Sequence, residues 1–244
     1  MSYVERLVAS PLICCTWEQR TDAAYEQLVV PDACVDLIWS GERVTIAGPD
    51  TRARRVEVAP GTRLVGVRLR PGAAGAALGL PATELCDAAP SAAEVLGRAA
   101  TERLLDELRA GGDPHAILVR AIGLRGIAAP DPLVRAAVAA LDRPGARVAS
   151  VADELGLSAR QLQRRVADAV GYGPKLLARI LRLRRLQALA APRADRSPGD
   201  PRAPLVELAL DAGYADQAHM TDEVTRLAGL SPVRFLKDRT PTAA

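Results

Sequence analysis

Aromatic side chains are scarce in this chain, 3% of 244 residues with one Phe, two Trp and four Tyr, so no single ring-rich core announces itself. Histidine is scarcer still. His115 and His219 alone do not make a metal site, and neither has a catalytic companion at a recognisable spacing. No Gly-x-Ser-x-Gly, Walker or dinucleotide pattern occurs, and Gly72-Ala73-Ala74-Gly75 opens a helix with no phosphate-binding continuation. Neither enzymatic activity nor a cofactor is expected. No apolar run approaches the roughly 18–20 residues of a membrane span, and no basic segment leads into a long apolar core at the N-terminus. The expectation is a cytoplasmic protein with no membrane partner. Cys14, Cys15, Cys34 and Cys86 form no Cys-x-x-Cys pair, and in a reducing compartment they are expected as thiols.

What is present divides unevenly along the chain. The formal charge is only +3, yet residues 130–244 hold 18 Lys/Arg against 13 Asp/Glu while residues 1–129 hold 14 against 16. A basic excess of this kind suits a partner that carries phosphate. Almost all the basic residues are Arg and Ala is abundant, which also fits a GC-rich coding bias. The length accommodates two modest domains, each able to bury its own core.

The last third contains one pattern twice. The first copy runs Val151-Ala152-Asp153-Glu154-Leu155-Gly156-Leu157-Ser158, then Leu162, Val166 and Gly171-Tyr172-Gly173-Pro174. The second runs Leu208-Ala209-Leu210-Asp211-Ala212-Gly213-Tyr214-Ala215, then Met220, Val224 and Gly229-Leu230-Ser231-Pro232. The offset is 57 up to the glycine corner and 58 after it. Each copy predicts a short apolar helix, a corner where Gly156 or Gly213 takes the left-handed conformation, and a second helix at a new angle. In the first second-helix Leu162, Val166 and Val170 share one stripe, leaving Arg160, Gln163 and Arg164 on the other face. In the second copy Met220, Val224 and Leu227 form the stripe, and Gln217, Ala218, Thr221 and Asp222 point outward.

Before the repeats, short β-branched or aromatic runs bounded by Gly, Pro or Asp predict strands at 12–17, 25–30, 34–39, 44–46, 56–58 and 64–69, an antiparallel sheet or open barrel. Helical spacing follows at 73–80, from the Ser91 cap to Ala110, and at 114–127. Ala128-Ala129-Pro130-Asp131-Pro132 breaks the chain, so domains of 1–129 and 130–244 are expected. The fold class is α+β: an N-terminal antiparallel β domain with following helices, then an all-α domain with two helix-turn-helix units joined by a long linker helix. Asp131 and Pro132 would cap the first helix of the second domain. Pro174 would open the linker helix, to about Ala190. Ala191 to Pro204, rich in proline and charge, reads as a solvated loop, with phosphate contact by Arg193, Arg196 or Arg202 as the alternative.

The stretch Ala212 to Met220, with Gly229-Leu230-Ser231-Pro232 and Phe235, makes residues 131–239 resemble the AraC/XylS class of bacterial transcription regulators. That resemblance implies double-stranded DNA as the partner, RNA polymerase if the protein activates, and two reading helices held for successive major grooves about 34 Å apart. It also places base contacts on Arg160, Gln163 and Arg164, whose types suit guanine O6/N7 and adenine N6/N7. Arg165, Arg179, Arg182 and Arg184 are expected as phosphate contacts or plain surface. Asp222 stands where relatives usually have Arg, and Val224 where an aromatic core residue is usual. The second unit should therefore read weakly, through Gln217, Ala218, Thr221 and Asp222. His219 is expected to be a helix-surface residue.

The segment Val30 to Trp39, with Ala47-Gly48-Pro49-Asp50-Thr51 and Gly66 to Gly72, resembles a sensory domain of some AraC-type regulators, in which Gly is common where this chain has Ala33. Trp17, Cys34, Asp36, Trp39 and Arg68 are the candidate residues for a small apolar or aromatic effector, with Asp36 and Arg68 as polar anchors. The alternative for each aromatic is simple core filling. Vicinal Cys14 and Cys15 are expected on opposite strand faces, which disfavours a chelate. The helices between Ser91 and Ile127 are the expected homodimer or interdomain surface. The sequence thus reads as a transcription regulator modulated by a small effector; the alternative is a small-ligand or thiol-reactive sensor with residual DNA binding.

Overall fold

In a computed structural model of the chain, residues 1–125, 128–190 and 203–237 are described. The N-terminal part is an antiparallel sheet of β1 (Ser2–Leu7), β2 (Ile13–Arg20), β7 (Arg63–Leu69), β4 (Val35–Trp39) and β5 (Val44–Ala47), in that spatial order. A separate pair, β3 (Tyr25–Val29) and β6 (Arg54–Val58), covers one of its faces. Strand alternation sorts the side chains. Val35, Leu37, Val65, Val67 and Leu69 turn to one side and join a buried cluster with Leu78, Leu104, Leu108, Leu118 and Ile122. Those partners sit on α1 (Ala74–Leu78), α3 (Arg98–Arg109) and α4 (Pro114–Arg125). Asp36, Ile38, Leu64 and Arg68 turn to the other side, toward β3 and β6.

Two elements differ from expectation here. Strand β1 carries Glu5 and Arg6 within six residues, so periodicity hides it, but all six pair with β2 from Ser2↔Arg20 to Leu7↔Cys15. The helix expected from Ser91 to Ala110 is two: α2 (Ala92–Leu96), with a Ser91/Glu94 capping box, stops at Gly97, whose φ of +86° and ψ of 150° lie outside the helical region. A single turn of 3-10 helix at Ala82–Leu85 precedes them. The apolar residues of α3 and α4 are spent on the sheet, and Leu124 is the large apolar residue they leave exposed.

The C-terminal part begins with α5 (Pro132–Leu141), where Asp131 accepts from the Leu133 amide at 2.9 Å and Pro132 occupies the first turn. The first unit follows as α6 (Val148–Glu154) and α7 (Ala159–Val170), then α8 (Pro174–Ala190), about 25 Å long at 1.5 Å per residue. The second unit is α9 (Ala203–Ala212), α10 (Gln217–Ala228) and the short α11 (Pro232–Lys237). The expected loop at 191–204 lies outside the described residues up to 202, so its arginines have no structural account, while Ala203 and Pro204 already belong to α9. Ile127 likewise lies outside the described residues.

The duplication seen in sequence is repeated hydrogen bond for hydrogen bond. Leu157 N–H donates to Ala152 O and Tyr214 N–H to Ala209 O, both at 2.9 Å. These close the same 6→1 turn around Gly156 (φ +64°) and Gly213 (φ +89°). Gly171 and Gly229 end the second helices in the left-handed conformation, each donating four residues back, to Ala167 O and Thr225 O. The extra residue of the second copy is absorbed between the corner and the cap, Ser158 in one unit and Asp216 in the other.

The two parts are not independent bodies. Leu28, Val30 and Ala33 from the N-terminal part are buried in the same cluster as Val134, Val170, Leu177 and Leu181 of the helical part. Full burial of such a side chain contributes about 1.5–3 kcal/mol. The joint is carried by β3, the β3–β4 connection, the Gly48–Ala53 loop and the 3-10 turn, rather than by the helices between Ser91 and Ile127.

Candidate nucleic-acid interface and N-terminal cavity

Helix α7 is built to show one face to solvent. Ser158 accepts from the Gln161 amide at 3.2 Å and Gln161 Oε1 accepts from the Ser158 amide at 2.9 Å, a reciprocal box that starts the helix cleanly. Leu162, Val166 and Val170 are buried, and Arg160, Gln163 and Arg164 are exposed on the opposite side, as their spacing predicts. Among the described residues no carboxylate pairs with Arg160 or Arg164. Their donors are therefore available to a ligand. Gln163 lies along the helix end, where a Cβ at position 173 would meet its amide nitrogen at 2.3 Å, so Gly173 is what leaves it room.

Helix α10 shows a poorer face. Ala218 and Asp222 are exposed, Gln217 and Thr221 are half-buried, and the Thr221 hydroxyl donates to Gln217 O at 2.8 Å, within the helix. Asp222 takes the place of Arg164, so a phosphate neighbour would meet a repelling charge.

Of the other arginines expected near phosphate, Arg179, Arg182 and Arg184 are committed inside the protein, while Arg165 forms an exposed pair. Arg165 pairs with Asp131 at 2.6 Å. Arg182 and Arg179 converge on Glu223, at 2.8 and 3.5 Å, and Glu223 is only 6% exposed. Arg184 donates to Asp32 O at 3.1 Å across the joint between the two parts. A buried carboxylate such as Glu223 needs such partners, which is the physical reason Arg179 and Arg182 are not free surface. His219 belongs to the same cluster: its Nδ1 accepts from the Ala215 amide at 3.2 Å, which leaves the proton on Nε2, 3.0 Å from Glu223 Oε2. Arg182 also lies over the Tyr214 ring at 5.2 Å. The expectation of a simple surface histidine thus gives way to a tertiary role, invisible in sequence because α8 supplies the partners.

The N-terminal part holds a cavity of about 280 Å³ between the large sheet and the β3–β6 pair. Trp17, Cys34, Asp36 and Arg68 line it, but Trp39 does not. Trp39 shares the face of Val35 and Leu37 and packs against the helical cluster, because residues two apart in β4 point the same way. Apolar lining comes from Val29, Ile38, Val56 and Val58. Trp17 lies across Gly66, its pairing partner in β7, where a Cβ would stand 2.2 Å from the ring. Its Nε1 donates to Asp36 Oδ1 at 3.0 Å, and its ring stacks on Tyr3 at 6.1 Å.

Arg68, 7% exposed, donates from Nη2 to Asp36 Oδ2 at 3.0 Å and from Nη1 to Glu5 Oε1 at 3.1 Å, with Asp32 Oδ2 at 3.5 Å from its Nε. Glu5 and Asp32 are the members of this group that sequence reasoning missed; pairing of β1 with β2 brings in the first. Burial pushes the Asp36 carboxyl above its ordinary range against the pull of Arg68, and pushes the Cys34 thiol well up. A neutral, buried Cys34 is a poor nucleophile. The register of β2 shifts between Ile13 and Cys15, so Cys14 sits at an irregularity that breaks strict alternation; the expectation of opposite faces fails and the two thiols interact. The hydrogen bond from Cys15 draws Cys14 down to about 6. Among the described residues no three His, Cys, Asp or Glu side chains are grouped as a metal site.

The architecture is an antiparallel sheet with following helices, joined to tandem helix-turn-helix units of which the first has the better-formed exposed face. Residues 151–238 match a family described as a helix-turn-helix domain, and residues 8–91 match a domain of unknown function. No curated relative matches it. Among solved structures, it is similar to the C-terminal domain of AraT, a response regulator from Geobacillus stearothermophilus, at 22% identity over 47% of this chain and 89% of that one, TM-score 0.38. Apo ToxT from Vibrio cholerae is similar at 11% identity over 95% and 99%, TM-score 0.48. Unsaturated fatty acid bound ToxT is similar at 10% identity over 96% and 94%, TM-score 0.42. Among the described residues no helix is long and apolar enough to cross a membrane.

Proposed function

We propose that the chain is a sequence-specific transcription regulator whose residues 130–244 bind duplex DNA and whose residues 1–129 take a small effector. The observation that carries this reading is the pair of arginines Arg160 and Arg164, with no carboxylate partner among the described residues, flanking Gln163 on the exposed face of α7 within a helix-turn-helix family match. Arg164 and Arg160 are assigned to guanine edges and Gln163 to adenine. The second unit, through Gln217, Ala218, Thr221 and Asp222, adds position and little sequence reading.

The effector half of the reading rests on the cavity and on its connection to the reading helices. The Gly48–Ala53 loop contributes Gly48 and Asp50 to the cavity wall. In the same loop Pro49 abuts Gly171 at the end of α7, and the Ala53 amide donates to Leu227 O, near the end of α10, at 2.7 Å. A ligand that moves this loop would bias how the two units are held.

The test is binding to the DNA upstream of the protein's own gene in moderate salt. Arg164→Ala should cost about 1–3 kcal/mol of specific affinity, and Asp222→Arg should strengthen binding and steepen its salt dependence. Equal, nonspecific binding by all three proteins, with and without candidate effectors, would defeat the reading.

A further inference from the structure

We infer that the N-terminal cavity selects a protonated amine carried on an apolar, aromatic-sized body; this rests on the effector reading proposed above. The volume, about 280 Å³, is roughly twice that of the 150 Å³ engineered cavity that takes up benzene. It therefore suits a ring with a short chain. One wall is apolar, from Val29, Ile38, Val56 and Val58, and another presents Trp17 backed by Tyr3, a surface that favours cations as well as rings.

The sign of the ligand follows from the charges at the cavity floor. Three carboxylates, Glu5, Asp32 and Asp36, surround the one guanidinium of Arg68. Ionised, the group is two charges short of neutral, and Arg184, which donates to Asp32 O at 3.1 Å, offsets one of them at most. Arg54, the next cation on the lining, is held by Asp50 at 3.1 Å and offsets nothing at the floor, and Arg43 is exposed. An incoming carboxylate would have to displace one of Arg68's partners and would add to the excess. An incoming ammonium offsets it, with Asp32 Oδ2 as the acceptor that no hydrogen bond among the described residues engages closely.

The experiment uses the full chain carrying Trp39→Phe, so that Trp17 in the cavity is the sole tryptophan reporter. It is titrated with 2-phenylethylamine, 3-phenylpropionate, 2-phenylethanol and oleate, following Trp17 emission, melting temperature and DNA affinity together. Expected are binding of the amine at least tenfold tighter than of the propionate or the alcohol, and a loss of at least tenfold in Asp32→Asn, whose unliganded melting temperature reports its folding. The melting shift of the wild-type chain with each compound gives the same ranking without any variant. Tighter binding of 3-phenylpropionate or oleate overturns the charge class and leaves the effector reading standing. Amine binding with unchanged DNA affinity supports the ligand class and defeats the effector reading. If none of the four binds, and filling the cavity with Ile38→Trp leaves DNA affinity unchanged, both fall.

Discussion

Several buried or half-buried ionisable side chains owe their behaviour to partners far away in sequence. Glu18 on β2 accepts from Arg20 at 2.6 Å and from Arg63 on β7 at 2.9 Å, and His115 of α4 lies at 3.4 Å. The hydrogen bond from Arg63, reinforced by Arg20 and His115 and opposed by burial, holds its carboxyl down at about 2 from an ordinary 4.5. A depressed folded-state value stabilises the fold above about pH 4.5, and that contribution disappears as the pH falls toward 2. Glu18→Gln should therefore lose at most about 3 kcal/mol at pH 7, with the gap to wild type closing as the pH approaches 2. Urea unfolding at pH 7 and pH 3 measures it; a gap that does not shrink with acid would assign the loss to packing. Ala33 illustrates the opposite case, a local choice against the backbone. Its φ of +66° is the left-handed conformation that Gly adopts without strain, which is why Gly at this place in the resembling sensory domains has a physical meaning.

Between elements, the decisive contact is α8 against α10. Sequence periodicity marks Met220 and Val224 as part of an apolar stripe, and they are buried together with Leu177 and Leu181 of α8. It does not mark Glu223, which sits one residue from that stripe and is as buried as its neighbours only because Arg179 and Arg182 reach it from the linker helix. Removing one partner of a buried ion group costs more than forming it gains. Glu223→Gln should destabilise the chain by about 3 kcal/mol and loosen the second unit against α8. Hydrogen exchange of the α10 amides, with urea unfolding, checks it. An unchanged midpoint would mean that solvent already screens the cluster.

For the molecule as a unit, the question is how firmly the two parts are joined. Gly171 and Gly229 form a built-in comparison, since both end a reading helix in the left-handed conformation, at φ +99° and +69°. A Cβ at 171 would stand 2.6 Å from Pro49 Cγ, whereas a Cβ at 229 meets nothing within 4 Å. Each change to Ala should cost about 1–2 kcal/mol from backbone strain alone. Gly171→Ala should lose more and should speed exchange of the Ala53 amide, which Gly229→Ala leaves protected. Equal effects of the two would mean that the Pro49 contact does not hold the parts together.

Local chemistry was legible wherever a short span of residues determines it. The glycine corners, the Asp131 cap, the apolar stripes, and the exposed Arg160, Gln163 and Arg164 follow from spacing, since a helix places residues three and four apart on one face whatever surrounds it. So do the central strands, whose alternation survives into the sheet. Only the tertiary structure decided which arginines are spent inside the protein, that Trp39 faces the helices while Trp17 faces the cavity, and that β1 delivers Glu5 to Arg68. It also decided that the Gly48–Ala53 loop touches both the cavity and the ends of the reading helices. Those outcomes depend on contacts between residues tens of positions apart, where burial and charge compensation set the energy and neither leaves a periodic trace in the chain.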